Sequence, residues 1–128
     1  MIKTESPAIK VARAHVEAWN RHDWEAARHL LAPNVKVRVT TTQPIMSPVD
    51  TTGADAYMEG LVRFAQGVTP GSARELARTG DEHNALLLLT VEADFGRGKA
   101  TLPAARLYLI DSEGRIESEQ VIFYAAEA

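Results

Sequence analysis

A chain of 128 residues has the length of one domain, and its 45% apolar and 24% charged residues are typical of a folded protein. The formal net charge of −3 gives no electrostatic reason to expect nucleic acid or a membrane as partner. Cysteine is absent, which excludes disulfides and thiolate metal sites. The first residues lack the apolar stretch of a secretory signal, and the longest apolar run, Ala85 to Leu89, is far too short to cross a bilayer. We therefore expect a soluble, cytoplasmic protein.

The beginning of the chain predicts two helices. Ser6-Pro7 has the pattern of a helix start, with a hydroxyl N-cap followed by proline at the first helical position. Apolar residues then recur at helical spacing: Ala8, Ile9, Val11, Ala12, Val16 and Trp19. Asp23 is expected to cap a second helix, whose buried side extends to Leu31 and which Pro33 ends.

The hydrophobic period then changes from helix to strand. Valines alternate with polar residues at Val35, Val37 and Val39, which predicts a first strand. A loop from Pro44 to Gly53 follows, and a third helix is predicted from Ala54 onward. The remaining predicted elements are strands at Arg74–Thr79, Ala85–Phe95, Thr101–Asp111 and Arg115–Ala125. Helices on one face of a mostly antiparallel sheet make an α+β fold.

The long predicted strands are apolar on both faces. One alternating set in the strand after Ala85 is Leu87, Leu89 and Val91, and the other is Leu86 and Leu88. The helices can cover only one face of the sheet, so something else must cover the other. We expect a homodimer that forms through the outer face of the sheet.

The segment from Ala12 to Trp24, continued through Leu30 to Val35, resembles the opening of the SnoaL-like and ketosteroid isomerase-like proteins of the nuclear transport factor 2-like superfamily. The likeness lies in a helix ending in an aromatic-Asn pair, a capping aspartate, a leucine-rich second helix and a valine-rich strand. The order of elements extends it over nearly the whole chain. The resemblance implies one domain over residues 1–128, with three helices in the concave face of a curved sheet (a cystatin-like, cone-shaped α+β barrel) and a conical pocket between them.

The same resemblance leaves the chemistry open. The oxyanion-donating tyrosine of ketosteroid isomerase falls at His15, its aspartate base at Val39 and its second aspartate at Ala105, so that activity is not predicted. The fold also hosts cyclases and epoxide hydrolases. We expect a small apolar molecule in the pocket, with cofactor-free acid–base chemistry of isomerase, cyclase or epoxide-hydrolase type. The alternative is a non-catalytic ligand-binding or dimeric interaction module.

Two residues are candidates for catalysis. His15 lies in the middle of the apolar arc of the first helix, where an imidazole could transfer a proton or instead be a core histidine bonded to a backbone carbonyl. Glu119 shares strand parity with Val121 and Phe123, and the resemblance turns that face toward the pocket. A carboxyl group among apolar side chains would favour its neutral form and suit a general acid. The polar pattern from Arg115 to Gln120 instead favours a solvated strand start.

The expected wall of the pocket is apolar and aromatic: Trp19, Val39, Tyr57, Leu61, Phe64, Ala105, Val121 and Phe123. Tyr57 fits either a pocket hydroxyl or a core tyrosine with a local hydrogen bond. Arg106 is placed on the outward face of its strand, as an interface cation or an exposed arginine. His15, His22 and His29 recur every seven residues, but a new helix begins at Asp23, so no metal site is expected.

Overall fold

Helices and strands follow one another along the chain in the predicted order, with one additional strand. The computed structural model describes residues 5–41, 49–96 and 98–124. Its elements are α1 (Pro7–Asn20), α2 (Trp24–His29), β1 (Leu31–Thr41), β2 (Val49–Thr52), α3 (Ala54–Ala65), β3 (Arg74–Gly80), β4 (Asn84–Ala93), β5 (Ala100–Ile110) and β6 (Ile116–Phe123). The predicted α+β class is confirmed. None of the described helices is long and apolar enough to span a membrane.

The strands form one curved, open sheet in the order β2-β1-β6-β5-β4-β3. The pairing of β1 with β6 is parallel, and all the other pairings are antiparallel. Helix α1 packs against β3, β4 and β5, while α3 packs against β1 and β2. The space between the helices and the central strands therefore holds the core, and side chains from α1, α3, β5 and β6 meet there.

Both predicted helix caps are confirmed. The Ser6 hydroxyl accepts a hydrogen bond from the Ile9 backbone N–H at 3.4 Å, and the Asp23 carboxylate accepts one from the Ala26 N–H at 3.2 Å. These caps satisfy N–H groups that have no partner within the helix. The cap at Ser6 starts α1 in the register that buries one face, which consists of Ala8, Ile9, Ala12, His15, Ala18 and Trp19.

The second helix is shorter than predicted. It ends at His29, and Leu31 already belongs to β1, where it pairs with Ile116. The Leu30 carbonyl accepts a hydrogen bond from the Ile116 N–H at 2.7 Å. Pro33 lies inside β1, at a register shift where a missing N–H is tolerated. Pairing with a strand that lies far away in the sequence thus takes the place of the last helical turn.

Part of the predicted loop from Pro44 to Gly53 is a strand. Residues Val49–Thr52 form β2, which extends the sheet by pairing with residues 36–39 of β1. The segment is short and mostly exposed, so it shows no hydrophobic alternation. Residues 42–48 and Ala125, the predicted end of the last strand, lie outside the described residues.

The predicted orientation of β5 is wrong. Arg106 was expected on the outward face, but the structure buries it in the interior together with Ala104 and Tyr108. Ala105, expected in the pocket wall, lies on the opposite face with Leu107. The sequence is apolar at both sets of positions, so alternation could not distinguish them. Pairing with β4, where Arg106 stands opposite the buried Leu87, fixes which set points inward.

The Asp23→Ala variant should destabilise the fold by about 1 kcal/mol, because the Ala26 N–H loses its acceptor at the N-terminus of α2. Urea unfolding measures the difference. The matched control is Asp23→Asn, which keeps a side-chain acceptor and should remain close to the wild type. Equal losses in the two variants would assign the effect to the charge of Asp23 rather than to the cap.

Candidate functional site

Five side chains with polar groups meet in the interior: His15, Tyr57, Arg106, Tyr108 and Glu119, here called the buried polar cluster. Each is at most 4% exposed. They come from α1, α3, β5 and β6, so no local segment contains the group. Burying a polar group costs free energy unless the group finds a hydrogen-bond or ion-pair partner. These side chains must therefore satisfy one another in the interior.

The strands bring Glu119 and Arg106 together through their register. Tyr108 stands opposite Glu119, and Arg106 stands opposite Val121. Ile116 and Glu119 both point inward although they are three residues apart, because the pairing shifts register between Leu109 and Ile110. Glu119 thus points inward, as the resemblance implied, and the solvated position that the polar pattern favoured is wrong.

Both carboxylate oxygens of Glu119 are engaged. Oε2 accepts a hydrogen bond from Arg106 Nη1 at 3.0 Å, and Oε1 accepts one from the Tyr57 hydroxyl. Burial alone would raise the pKa of Glu119, but Arg106, His15 and the hydroxyls of Tyr57 and Tyr108 together lower it below its ordinary value. Glu119 is therefore an ionised carboxylate, and the expectation of a neutral general acid is wrong.

Arg106 balances this charge inside the core. Burial opposes its charged form, yet the neighbouring Glu119 carboxylate and the two tyrosines raise the pKa of Arg106 above its ordinary value. Its guanidinium carbon lies 4.9 Å from the centroid of the Trp19 ring, in cation–π contact. Trp19, predicted as pocket wall, thus packs directly against the cluster.

Both ring nitrogens of His15 contact tyrosine hydroxyls. Nδ1 lies 3.3 Å from the Tyr108 oxygen, and Nε2 lies 3.3 Å from the Tyr57 oxygen. Because Tyr57 donates its proton to Glu119, its oxygen is free to accept from Nε2–H, and Nδ1 is then left to accept from Tyr108. His15 is held by side chains, which differs from the alternative of a core histidine bonded to a backbone carbonyl.

The charge states follow from burial. Desolvation lowers the pKa of His15 to about 4, with Glu119 opposing the shift and Arg106 adding to it. Burial and then the Glu119 charge raise the pKa of Tyr57 and of Tyr108 well above 10. Near neutral pH the imidazole is neutral and both phenols are protonated. His15 and Tyr57 thus connect Tyr108 to the Glu119 carboxylate, and Tyr108 also interacts directly with Glu119 and Arg106.

A second hydrophobic cluster begins where the buried polar cluster ends. This apolar compartment is formed by Val39, Phe64, Leu102, Ala104, Val121 and Phe123. Ala104 and Val121 are the next inward positions after Arg106 and Glu119 on their strands. Phe64 packs against Phe123 and against Phe95, with ring centroids 5.4 and 5.7 Å apart, and Phe95 is 55% exposed. These packed side chains thus extend from the positions next to the charged pair to Phe95 at the surface.

The predicted wall residues are distributed among four places. Val39, Phe64, Val121 and Phe123 belong to the apolar compartment. Trp19 and Tyr57 contact or belong to the buried polar cluster, and Leu61 lies in the main hydrophobic core. Ala105 is on the other face of the sheet.

Two open grooves lie elsewhere on the surface. One, of about 670 Å³, runs between α2 and α3 over Trp24, Met58 and Val62, and the other, of about 600 Å³, lies beside Leu31 and Thr52. Neither is lined by a residue of the buried polar cluster or of the apolar compartment, so neither is the expected conical pocket. Within the described part of the chain, no group of three His, Cys, Asp or Glu side chains could hold a metal ion.

A model of the SnoaL-like domain matches residues 12–119, which confirms the resemblance read from the sequence. No curated protein matches significantly. Among solved structures, a protein of Kribbella flavida provisionally described as a ketosteroid isomerase is 17% identical, with a TM-score of 0.76 over 95% of this chain and 81% of that one. A provisionally described SnoaL-like polyketide cyclase of Shewanella denitrificans is 11% identical, with a TM-score of 0.74 over 91% and 89%.

A third similar structure is an LEH-like epoxide hydrolase of M. tuberculosis, 18% identical, with a TM-score of 0.68 over 91% of this chain and 82% of that one. At these identities the likeness establishes the fold. The described chemistries of the three proteins differ, so the fold alone does not select one of them.

Sequence reasoning missed Arg106 and Tyr108 as members of the site. The available signal was a lone arginine within an apolar strand, next to a strand that carries a glutamate at an inward position. To pair the arginine with the glutamate one must know the register between β5 and β6. An irregularity near Ile110 shifts that register by one residue, and the sequence pattern does not reveal it.

The free energy of unfolding should fall as the pH is lowered from 6.5 to 4. In this window the unfolded chain protonates a histidine of pKa 6.5, whereas folded His15, with a pKa of about 4, stays neutral. The loss should reach about 3 kcal/mol. Urea unfolding at several pH values should show a flatter dependence for His15→Gln. The exposed His29→Gln variant should keep the wild-type slope, and equal slopes in all three proteins would contradict this account.

Proposed function

The chain belongs to the SnoaL-like domain family, and from that premise we propose that it binds a small, largely apolar molecule in the apolar compartment and performs cofactor-free acid–base chemistry on it. The reaction class is that of an isomerase, cyclase or epoxide hydrolase. The observation that carries the proposal is the ionised, hydrogen-bonded carboxylate of Glu119, which stands beside that compartment.

The energetics of the charged pair support a role in function. Removing the charges of Glu119 and Arg106 from water costs desolvation free energy. A fold with well-packed apolar residues in place of such a pair is often as stable as the fold with the pair, or more stable. Titratable groups with shifted pKa values tend to occur where chemistry is done. A cluster that gains little stability from its charges is best explained by what those charges do to a bound molecule.

Glu119 is the proposed general base. Its carboxylate can take a proton from a ligand in the compartment, while Arg106 offsets the charge before the transfer. Tyr57, His15 and Tyr108 form a hydrogen-bonded chain behind it that orients the carboxylate. Since both oxygens of Glu119 are already engaged, a reacting ligand must compete with Tyr57 or Arg106 for one of them.

Thermal unfolding with a panel of cyclic ketones, aromatic polyketides, steroids, and epoxides with their diols tests the binding step. A ligand at a hundred times its dissociation constant should stabilise the fold by about 2.7 kcal/mol, which is a shift of several degrees. Turnover of the stabilising class should be lost in Glu119→Gln and kept in Glu117→Gln, which alters an exposed carboxylate nearby. An unresponsive panel, or wild-type turnover in Glu119→Gln, would overturn the proposal.

A second observation favours an assembly function, with or without chemistry. The outer face of the central strands carries apolar side chains that none of the described helices covers: Leu86, Leu88, Ala105, Leu107, Leu109 and Ile122. Leu107 and Ile122 are 42% and 41% exposed. We propose that this face pairs with a second copy of the chain, which would also fit a non-catalytic interaction module.

The Leu107→Lys variant should shift the protein from dimer to monomer at micromolar concentration, because a charge in the centre of the outer face would be buried in the interface. Analytical ultracentrifugation measures the change. Val49→Lys is the matched control, since Val49 is also exposed but lies in β2 at the edge of the sheet. A wild-type protein that sediments as a monomer would contradict the proposed dimer.

A further inference from the structure

Side chains of the protein itself fill the apolar compartment. Phe64 lies between Phe123 and Phe95, with its ring centroid 5.4 Å from the first and 5.7 Å from the second, and it also packs against the main core. Among the described residues, neither surface groove is lined by a residue of this compartment. A ligand that reaches Glu119 through the compartment must therefore displace a side chain on its way in.

Phe95 is the side chain at the outer end of this packing. It is 55% exposed, whereas Phe123 is 3% exposed, so turning the Phe95 ring outward gives up much less buried area. It follows the end of β4, and exposed side chains change rotamer within nanoseconds.

The backbone next to Phe95 is held while its ring is free to turn. The N–H of Asp94 donates to the Gly67 carbonyl at 2.7 Å, and the N–H of Gly96 donates to the Asp94 carboxylate at 2.9 Å. These bonds fix the turn on both sides of Phe95. The movement that opens the compartment is therefore a rotation of the side chain and not an opening of the loop.

The ring of Phe95 rests on Gly67, in space that any other residue would fill. A Cβ atom added to Gly67 would stand 2.3 Å from Cδ1 and Cε1 of the ring, much closer than non-bonded carbons approach. It would also lie 3.2 Å from the Asp94 carbonyl oxygen, a contact relieved by a small backbone shift. The φ of Gly67 is outside the left-handed region, so its backbone conformation accepts alanine. The missing side chain is what lets the Phe95 ring close against the end of α3.

We propose that Phe95 gates the apolar compartment: its ring turns off Gly67 to admit a small apolar molecule past Phe64, and then closes over it. This inference rests on the proposed function, since it names the route by which the ligand reaches Glu119. Closure of the ring excludes water from the space beside the carboxylate, as the closing loops of many enzymes do.

The absence of cysteine from the chain allows a test of access that needs no ligand. Val121→Cys places a single thiol in the wall of the compartment, where methyl methanethiosulfonate reacts with it only while the compartment is open. Gly67→Ala forces the ring aside and Phe95→Ala removes it, so each should raise the reaction rate roughly tenfold or more. Gly60→Ala is the matched control, since a Cβ at Gly60 in α3 meets nothing within 4 Å, and it should leave the rate unchanged.

A second thiol position separates opening of the gate from general loosening of the fold. Val35→Cys is the same substitution in the main hydrophobic core, and its reaction rate should not respond to Gly67→Ala or Phe95→Ala. An unchanged rate at the Val121 position in either background, or an equal rise at the Val35 position, would overturn the gate. A thiol at the Val121 position that reacts in the wild-type background as fast as in the unfolded chain would overturn it too. All these outcomes leave the proposed function standing, because the ligand panel tests that function separately.

Discussion

The ion pair between Glu119 and Arg106 is the constraint on which the rest of the interior depends. Both groups are charged inside a core that otherwise consists of apolar side chains, so each must be held by the other and by further donors. Tyr57 fills one carboxylate oxygen, Trp19 covers the guanidinium, and His15 with Tyr108 completes the set. The helices and the sheet are positioned such that these partners converge, and Trp19, Tyr57 and Tyr108 at the same time belong to the main hydrophobic core.

The buried polar cluster is a connected network of hydrogen bonds. A neutral His15 has one donor and one acceptor nitrogen, and these contact the two tyrosine hydroxyls, of which Tyr57 donates to the Glu119 carboxylate. The donors of this network stabilise the charged carboxylate and hold the pKa of Glu119 below its ordinary value. Phe64 and Leu102 pack against both the main core and the apolar compartment, so the two hydrophobic clusters are in contact beside the network.

Several features were readable in the sequence because they depend on near neighbours in the chain. The capping residues Ser6 and Asp23 predicted where their helices begin. Helical spacing placed His15 and Trp19 on the buried side of α1. Strand parity aligned Glu119 with Val121 and Phe123. The order of the predicted elements indicated the α+β class, and the family likeness added the curved sheet with helices in its concave face. These signals act over a few residues, which is why composition and spacing were sufficient for them.

Other features were decided by contacts between distant parts of the chain. The end of α2 was set by pairing with Ile116, and β2 exists because β1 offered a free edge. The orientation of Arg106 depended on register in a strand with two apolar faces, and the ionised state of Glu119 depended on having Arg106 beside it. The sequence by itself thus determined the class of fold and the inward residues of its helices. Only the tertiary structure determined the charged pair, because the register across three strands and the local dielectric are properties of the assembled sheet.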